Sequence, residues 1–216
     1  KLIMALSKID VANMLTGTAP VANGGTGVTT AAALANTGNL VKLSSIVASD
    51  TTNIIFDNTV ITDTYDTYLL TFRDIDMGSD GETIRMTVSG DNGSSYITSS
   101  VYKRVTINAE HSDSSDGNMT FKSGAIAQIN LIGTGSTAGT NDKESSAGTV
   151  TMFNLRKSDR GKIFHIHTTY ETAGEKGRLN FGSVYLDDAT VINNFKVFPS
   201  SGDFNEGTFT LYGVKE

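Results

Sequence analysis

Apolar and polar positions alternate with a period of two along most of this chain. From Tyr65 to Ile75, Tyr68, Leu70 and Phe72 fall on one face, and Leu69, Thr71 and Arg73 on the other. Ile84, Met86 and Val88 alternate with Thr83, Arg85 and Thr87. Successive side chains of an extended chain point to opposite sides, so this is the periodicity of strands. Similar runs cover Ile54 to Ile61, Tyr96 to Ile107, Met119 to Ile132, Thr149 to Arg156 and Lys162 to Tyr170. Leu179 to Leu186, Val191 to Phe198 and Phe209 to Val214 follow. Gly90-Asp91-Asn92-Gly93 predicts a hairpin between two of the runs, because Asn-Gly accepts the positive φ angles of a tight turn. About ten short strands separated by turn signals are the mark of a sandwich or jelly roll. The expectation is an all-β, antiparallel, jelly-roll-like β-sandwich knob over residues 49–216.

Residues 1–48 follow another pattern. Leu6, Ile9 and Val11 to Leu15 offer one short apolar contact, and then Gly17, Pro20 and Gly24-Gly25 interrupt any regular element. Residues 29–36, TTAAALAN, predict a short helix, with Thr29 or Thr30 as N-cap and Gly38 beyond its end. The stretch from Asn13 to Asn36 is built from Thr, Gly and Ala around Gly24-Gly25-Thr26-Gly27. Such residues supply little apolar area, so the segment cannot build a core alone and calls for neighbouring chains to bury it.

Composition narrows the function. The chain has 216 residues, of which 38% are hydrophobic and 8% aromatic, with 22 Gly and 2 Pro. Its net charge is −6, and its 17 Lys and Arg form no cluster longer than Lys103-Arg104 or Arg156-Lys157. A nucleic-acid groove needs a basic stripe, so no nucleic-acid partner is expected. No apolar run has the length of a membrane-spanning helix, so no membrane insertion is expected. The absence of cysteine excludes thiol catalysis, cysteine-based zinc sites and disulfides. Lys1-Leu2-Ile3-Met4 lacks the apolar core of a signal peptide, and Met4 reads as the natural start. No repeat period points to a solenoid.

Several constellations have two readings. Gly24 to Gly27 is not a phosphate loop, because no Gly-Lys-Ser/Thr follows and no apolar strand precedes. Close chain packing is the alternative use of those glycines. His165 and His167 share one face of a strand, opposite Phe164 and Ile166. They are either two solvent-facing histidines or part of a metal site completed around a threefold axis. Asp74, Asp76, Asp80 and Glu82 surround Gly78 and Gly81, which is either a calcium-binding turn or a solvated acidic one. Asp187 and Asp188 are adjacent, so on a strand they point apart and form no acid/base pair. No catalytic arrangement emerges, and the chain reads as a non-enzyme without a cofactor. Tyr96 and Tyr102 flank the predicted hairpin and are candidates for stacking on sugars, against the usual fate of a core tyrosine. Two long polar loops, His111 to Asn118 and Gly133 to Gly148, are either recognition loops or plain surface; His111 and Asp113 are the candidates in the first.

The run Leu15-Thr16-Gly17-Thr18, Pro20-Val21-Ala22-Asn23, Gly24-Gly25-Thr26-Gly27 closely resembles a recurrent segment of tailed-bacteriophage fibre and receptor-binding proteins. The stretch from Tyr65 through Tyr102 is similar to a β domain at the C-terminal end of phage structural proteins, as is the ending Gly207 to Gly213. The resemblance implies a homotrimer with a thin N-terminal stalk that attaches to other virion proteins. Leu15, Pro20, Val21, Gly24, Gly25 and Gly27 would serve that attachment and trimer packing. It further implies a location in the virion and a β knob that adheres to host-surface glycan or protein. The alternative is a purely structural head-decoration fibre or tail-assembly protein. A glycan hydrolase is the remaining competitor.

Overall fold

Strand alternation decides the architecture. In a computed structural model, residues 39–111, 117–132, 138, 144–172, 174 and 176–215 are described. The chain divides into two compact units, Lys1–Val41 and Lys42–Glu216. The predicted helix at 29–36 lies outside the described residues, as do Leu15, Pro20, Val21, Gly24, Gly25 and Gly27.

The described residues are all β, without a helix. Their strands are β1 (Leu40–Thr51), β2 (Ile54–Phe56), β3 (Thr67–Met77), β4 (Ile84–Ser89), β5 (Tyr102–Glu110) and β6 (Asn118–Ile126). Then follow β7 (Ile129–Asn130), β8 (Ser146–Phe153), β9 (Lys162–Glu171), β10 (Gly177–Leu186), β11 (Asn194–Pro199) and β12 (Phe204–Val214). An eight-stranded sheet has the order β1-β12-β3-β8-β9-β10-β5-β6, and a four-stranded sheet the order β2-β11-β4-β7. The paired strands are antiparallel. The arrangement is consistent with a β-sandwich.

One core lies between the sheets. Tyr68, Leu70 and Phe72 of β3, Phe164 and Ile166 of β9, and Phe209 and Leu211 of β12 are buried from the large sheet. Ile54, Phe56, Met86, Val88, Phe195 and Val197 meet them from the small one. Phe56 packs on Phe195 at 5.0 Å, and Phe204 on Phe209 at 5.2 Å. Each fully buried side chain of this size contributes about 1.5–3 kcal/mol.

Three expectations change. Asn92 and Gly93 do take positive φ, 59° and 88°. Yet the strands on either side do not form a hairpin, because β4 joins the small sheet and β5 the large one. Residues 94–101 instead fold back on β4: the Ile97 N–H donates to the Val88 carbonyl at 2.9 Å, and Thr87 Oγ1 donates to the Ile97 carbonyl at 2.6 Å. The run from Met119 to Ile132 splits into β6 and β7, which belong to different sheets. Finally, β1 is a strand that runs through residue 48.

Strand direction gives the sandwich two distinct ends. Ser45 Oγ lies 3.0 Å from Thr210 Oγ1, and β1 then continues towards the β2 that follows it. Val47 to Asp50 share a pocket with Asn205 to Thr208, so β1 starts at the end that holds Thr67, Phe153 and Leu186, here the entry end. Met77, Ser146, Gly177 and Glu110 mark the far end.

Buried polar groups tie loops to this frame. The Tyr68 hydroxyl donates to the Thr62 carbonyl at 2.6 Å and accepts the Thr62 N–H at 2.8 Å. Burial pushes its pKa up. Thr168 Oγ1 and Asn180 Nδ2 both donate to the Leu131 carbonyl, at 2.7 and 2.9 Å, and pin the chain after β7 to the large sheet. Tyr68→Phe is expected to lower unfolding free energy by about 1–2 kcal/mol, since it strips both bonds from residue 62. Urea denaturation followed by circular dichroism would measure it, and an unchanged midpoint would show that the clamp contributes nothing.

Candidate functional site

The sequence candidates separate onto different parts of the sandwich. Tyr96 and Tyr102 lie at the entry end and His111 at the far end, where β5 finishes. They cannot form one binding site. Asp113 lies outside the described residues.

Tyr102 corrects an expectation. Its ring faces the core with no exposed surface, because residue 102 falls on the inward parity of β5. Its hydroxyl donates to the Ile97 carbonyl at 2.9 Å. No sugar can stack on it. Tyr96 is half-buried; its hydroxyl donates to Asn194 Oδ1 at 3.1 Å, and the Lys196 ammonium covers its ring at 4.4 Å from the centroid. That cation–π contact occupies one face of the ring.

Loops at the entry end are bonded to one another. Asn92 Oδ1 accepts the Asn58 N–H at 3.1 Å, and the Asn92 N–H donates to Asn193 Oδ1 at 2.9 Å. The Ile192 N–H donates to the Leu155 carbonyl at 2.8 Å, and Arg156 Nε reaches Asp63 at 2.8 Å. Within this cluster Asp91 accepts the Ser95 hydroxyl at 2.6 Å, the Ser89 hydroxyl at 2.7 Å and the Ser95 N–H at 2.8 Å. The Ser95 hydroxyl above all, then that of Ser89, holds the Asp91 carboxyl down at about 2.

The far end holds the acidic candidates in separate places, Asp74 and Asp76 in one pocket and Asp80 and Glu82 outside it. Glu82 accepts the hydroxyls of Ser200 and Ser201, and Ser200 does most to lower its pKa. Asp76 Oδ2 accepts Asn205 Nδ2 at 3.1 Å. Asp74 sits at positive φ, 53°, where the β3–β8 register shifts, and it pairs with Arg73. Asp80 is exposed on the turn. The irregularity turns Asp74 and Asp76 to the outer side of β3, where both line a shallow pocket with Asp50 and Glu206. Among the described residues, no three His, Asp or Glu side chains form a metal-binding group.

His165 and His167 do share the exposed outer face of β9, as their spacing predicts. Each meets an aromatic ring edge-on: Phe153 at 5.1 Å from His165 and Phe181 at 5.9 Å from His167. They stand in the middle of a surface that sequence reasoning missed. Phe121, Ile107, Phe181 and His167 stand side by side across β6, β5, β10 and β9. In the next row are Ser123, Val105, Ser183 and His165. A cleft of about 330 Å³ opens between Val105, Ile107, His165, Phe181 and Ser183. The signal in the sequence is that β5 and β10 carry apolar residues at both parities. Leu179, Phe181 and Tyr185 alternate with Val184 and Leu186, the mark of a strand covered on two sides.

No protein-family model matches the chain, and no curated protein matches it.

The Asp91 bonds give a pH signature. Its folded pKa lies below the ordinary carboxylate value of about 3.9, so the stability it adds is present above that pH. That stability is lost as pH falls toward about 2. Asp91→Ala is expected to be less stable than the native chain at neutral pH, with the gap closing below about pH 4. Urea midpoints taken across this range would measure it; a gap that stays constant with pH would rule out the carboxylate as its source.

Proposed function

We propose that this chain is a structural virion fibre protein of a tailed phage. It works as a homotrimer: the segment ahead of β1 forms the stalk and attachment segment, and a jelly-roll-like knob adheres to carbohydrate on the host surface. The observation that carries this reading is the Leu15-to-Gly27 segment, whose residue order resembles that of phage fibre proteins. The antiparallel all-β fold supports it as a suitable knob.

In this reading the two ends of the sandwich serve different roles. The chain enters at one end, where loops are bonded into a firm base. His111, Gly117, Ala138 and Glu144 flank the long polar connections at the other end, and these are the contact loops in this reading. Ala138 is itself held there, by bridges to Glu82 and Thr172. Weak contacts by each loop set become useful affinity through the copies of the fibre.

The test is binding of the labelled full chain to host cells, to isolated envelopes and to a glycan array. Binding that soluble host polysaccharide competes away is the expected outcome. His111→Ala is expected to weaken single-site affinity about fivefold, the worth of one hydrogen bond. Clean failure across envelopes and glycans would replace adhesion with the head-decoration or tail-assembly role. Release of reducing ends from the polysaccharide would make the protein a hydrolase.

A further inference from the structure

The outer face of β5, β6, β9 and β10 is unusual for an antiparallel sheet turned to water. Such faces are normally polar and charged. Here the outward positions Val105 to Ala109, Met119 to Ser123, Leu179 to Ser183 and His165 to Thr169 hold no Asp, Glu, Lys or Arg. The 40 charged residues, 17 basic and 23 acidic, sit elsewhere in the chain. Meanwhile Phe121 is 73% exposed, Val105 66%, Met119 61% and Phe181 55%.

We infer that this face packs against a second copy of the chain, with Phe121 of one copy entering the Val105–Phe181 cleft of the next. The inference rests on the multi-copy fibre reading and names the surface that joins the copies.

Area supports this occupant. The exposed parts of these four side chains amount to on the order of 450 Å² of apolar surface, at roughly 150–250 Å² for each large side chain. A standard interface buries about 800 Å² per partner, of which some 60% is apolar, or about 500 Å². The face thus holds close to the apolar area that one stable protein contact requires. Its chemistry suits a protein better than a sugar. The cleft is lined by Val105, Ile107 and Phe181, with only His165 and Ser183 to offer hydrogen bonds. A glycan would leave its hydroxyls unpaired there.

The protruding Phe121 and the receiving cleft are different places on one face, one strand apart. The contact is met either reciprocally across a twofold axis or head-to-tail around a ring. The edge position of β6, whose side chains are mostly exposed on both sides, leaves Phe121 free to reach across.

Sedimentation velocity of the full chain tests the proposal, with Phe121→Asp and Phe181→Asp as variants. The native chain is expected to sediment as a multimer. Each variant is expected to weaken association roughly 30-fold or more, the loss that follows removal of a central aromatic anchor. Circular dichroism must stay unchanged, since both side chains point away from the core. A second measurement covers failure to fold. Ser183→Cys introduces the sole thiol of the chain, which should resist a bulky maleimide in the multimer and react after dilution to single chains. A native chain that stays monomeric at high concentration would overturn the proposal. So would a multimer whose mass the aspartates leave unchanged, or one in which the introduced thiol remains reactive. Host binding by the native chain is scored separately, so loss of this interface and loss of the adhesin reading give different results.

Discussion

Everything in the sandwich depends on the burial of one face of each sheet against the other. The chain has no cysteine to cross-link it, and its described part has no helix to cover a sheet. Cohesion therefore comes from the aromatic and aliphatic side chains that alternate inward from β3, β8, β9 and β12. A period of two makes this arrangement unforgiving, because a slip of one residue would exchange the core face for the water face. Register is held by irregular points as well as by regular pairing. The β3–β8 ladder shifts between Phe72 and Ile75, and β12 shifts on either side of Glu206. Both shifts fall at the far end, which is where the regular ladder gives way to loops.

Polar groups inside the sandwich serve the same end. Tyr68, Thr168 and Asn180 each carry a polar atom on an inward side chain, and each spends it on the backbone of a connecting segment. Lys162 does likewise: it is buried, and its ammonium donates to the carbonyls of Lys157 and Arg160 at 2.6 and 2.8 Å. Burial pulls its pKa down, with Asp188 and Asp159 opposing. The loops of the entry end thus follow the core rather than float on it, which fits a base better than a variable contact surface.

The sequence pattern was most informative where one side of a strand is wet. Tyr68, Leu70 and Phe72 could be assigned inward, and His165 and His167 outward, from alternation alone. It was least informative about which strands pair. Asn92-Gly93 signals a tight turn correctly, but local φ preference carries no information about sheet membership, so β4 and β5 part company there. Tyr102 shows the same limit for a site: proximity to a turn suggested exposure, while strand parity put the ring in the core. The acidic turn shows a third limit. A run of carboxylates in sequence says nothing of the serines brought in from residues 200 and 201, which hold Glu82. The apolar outer face was written in the strands throughout, as apolar residues at both parities, and only the assembled rows made it a surface.

The bridges at Ala138 have a consequence for the connection they interrupt. A single small residue, joined to Glu82 on one side and Thr172 on the other, divides one long connection into two shorter spans. Each span closes at a lower entropic cost than the whole, and each closes independently. Residue 138 therefore acts as a fixed post that ties the connection between β7 and β8 to two separate parts of the far end.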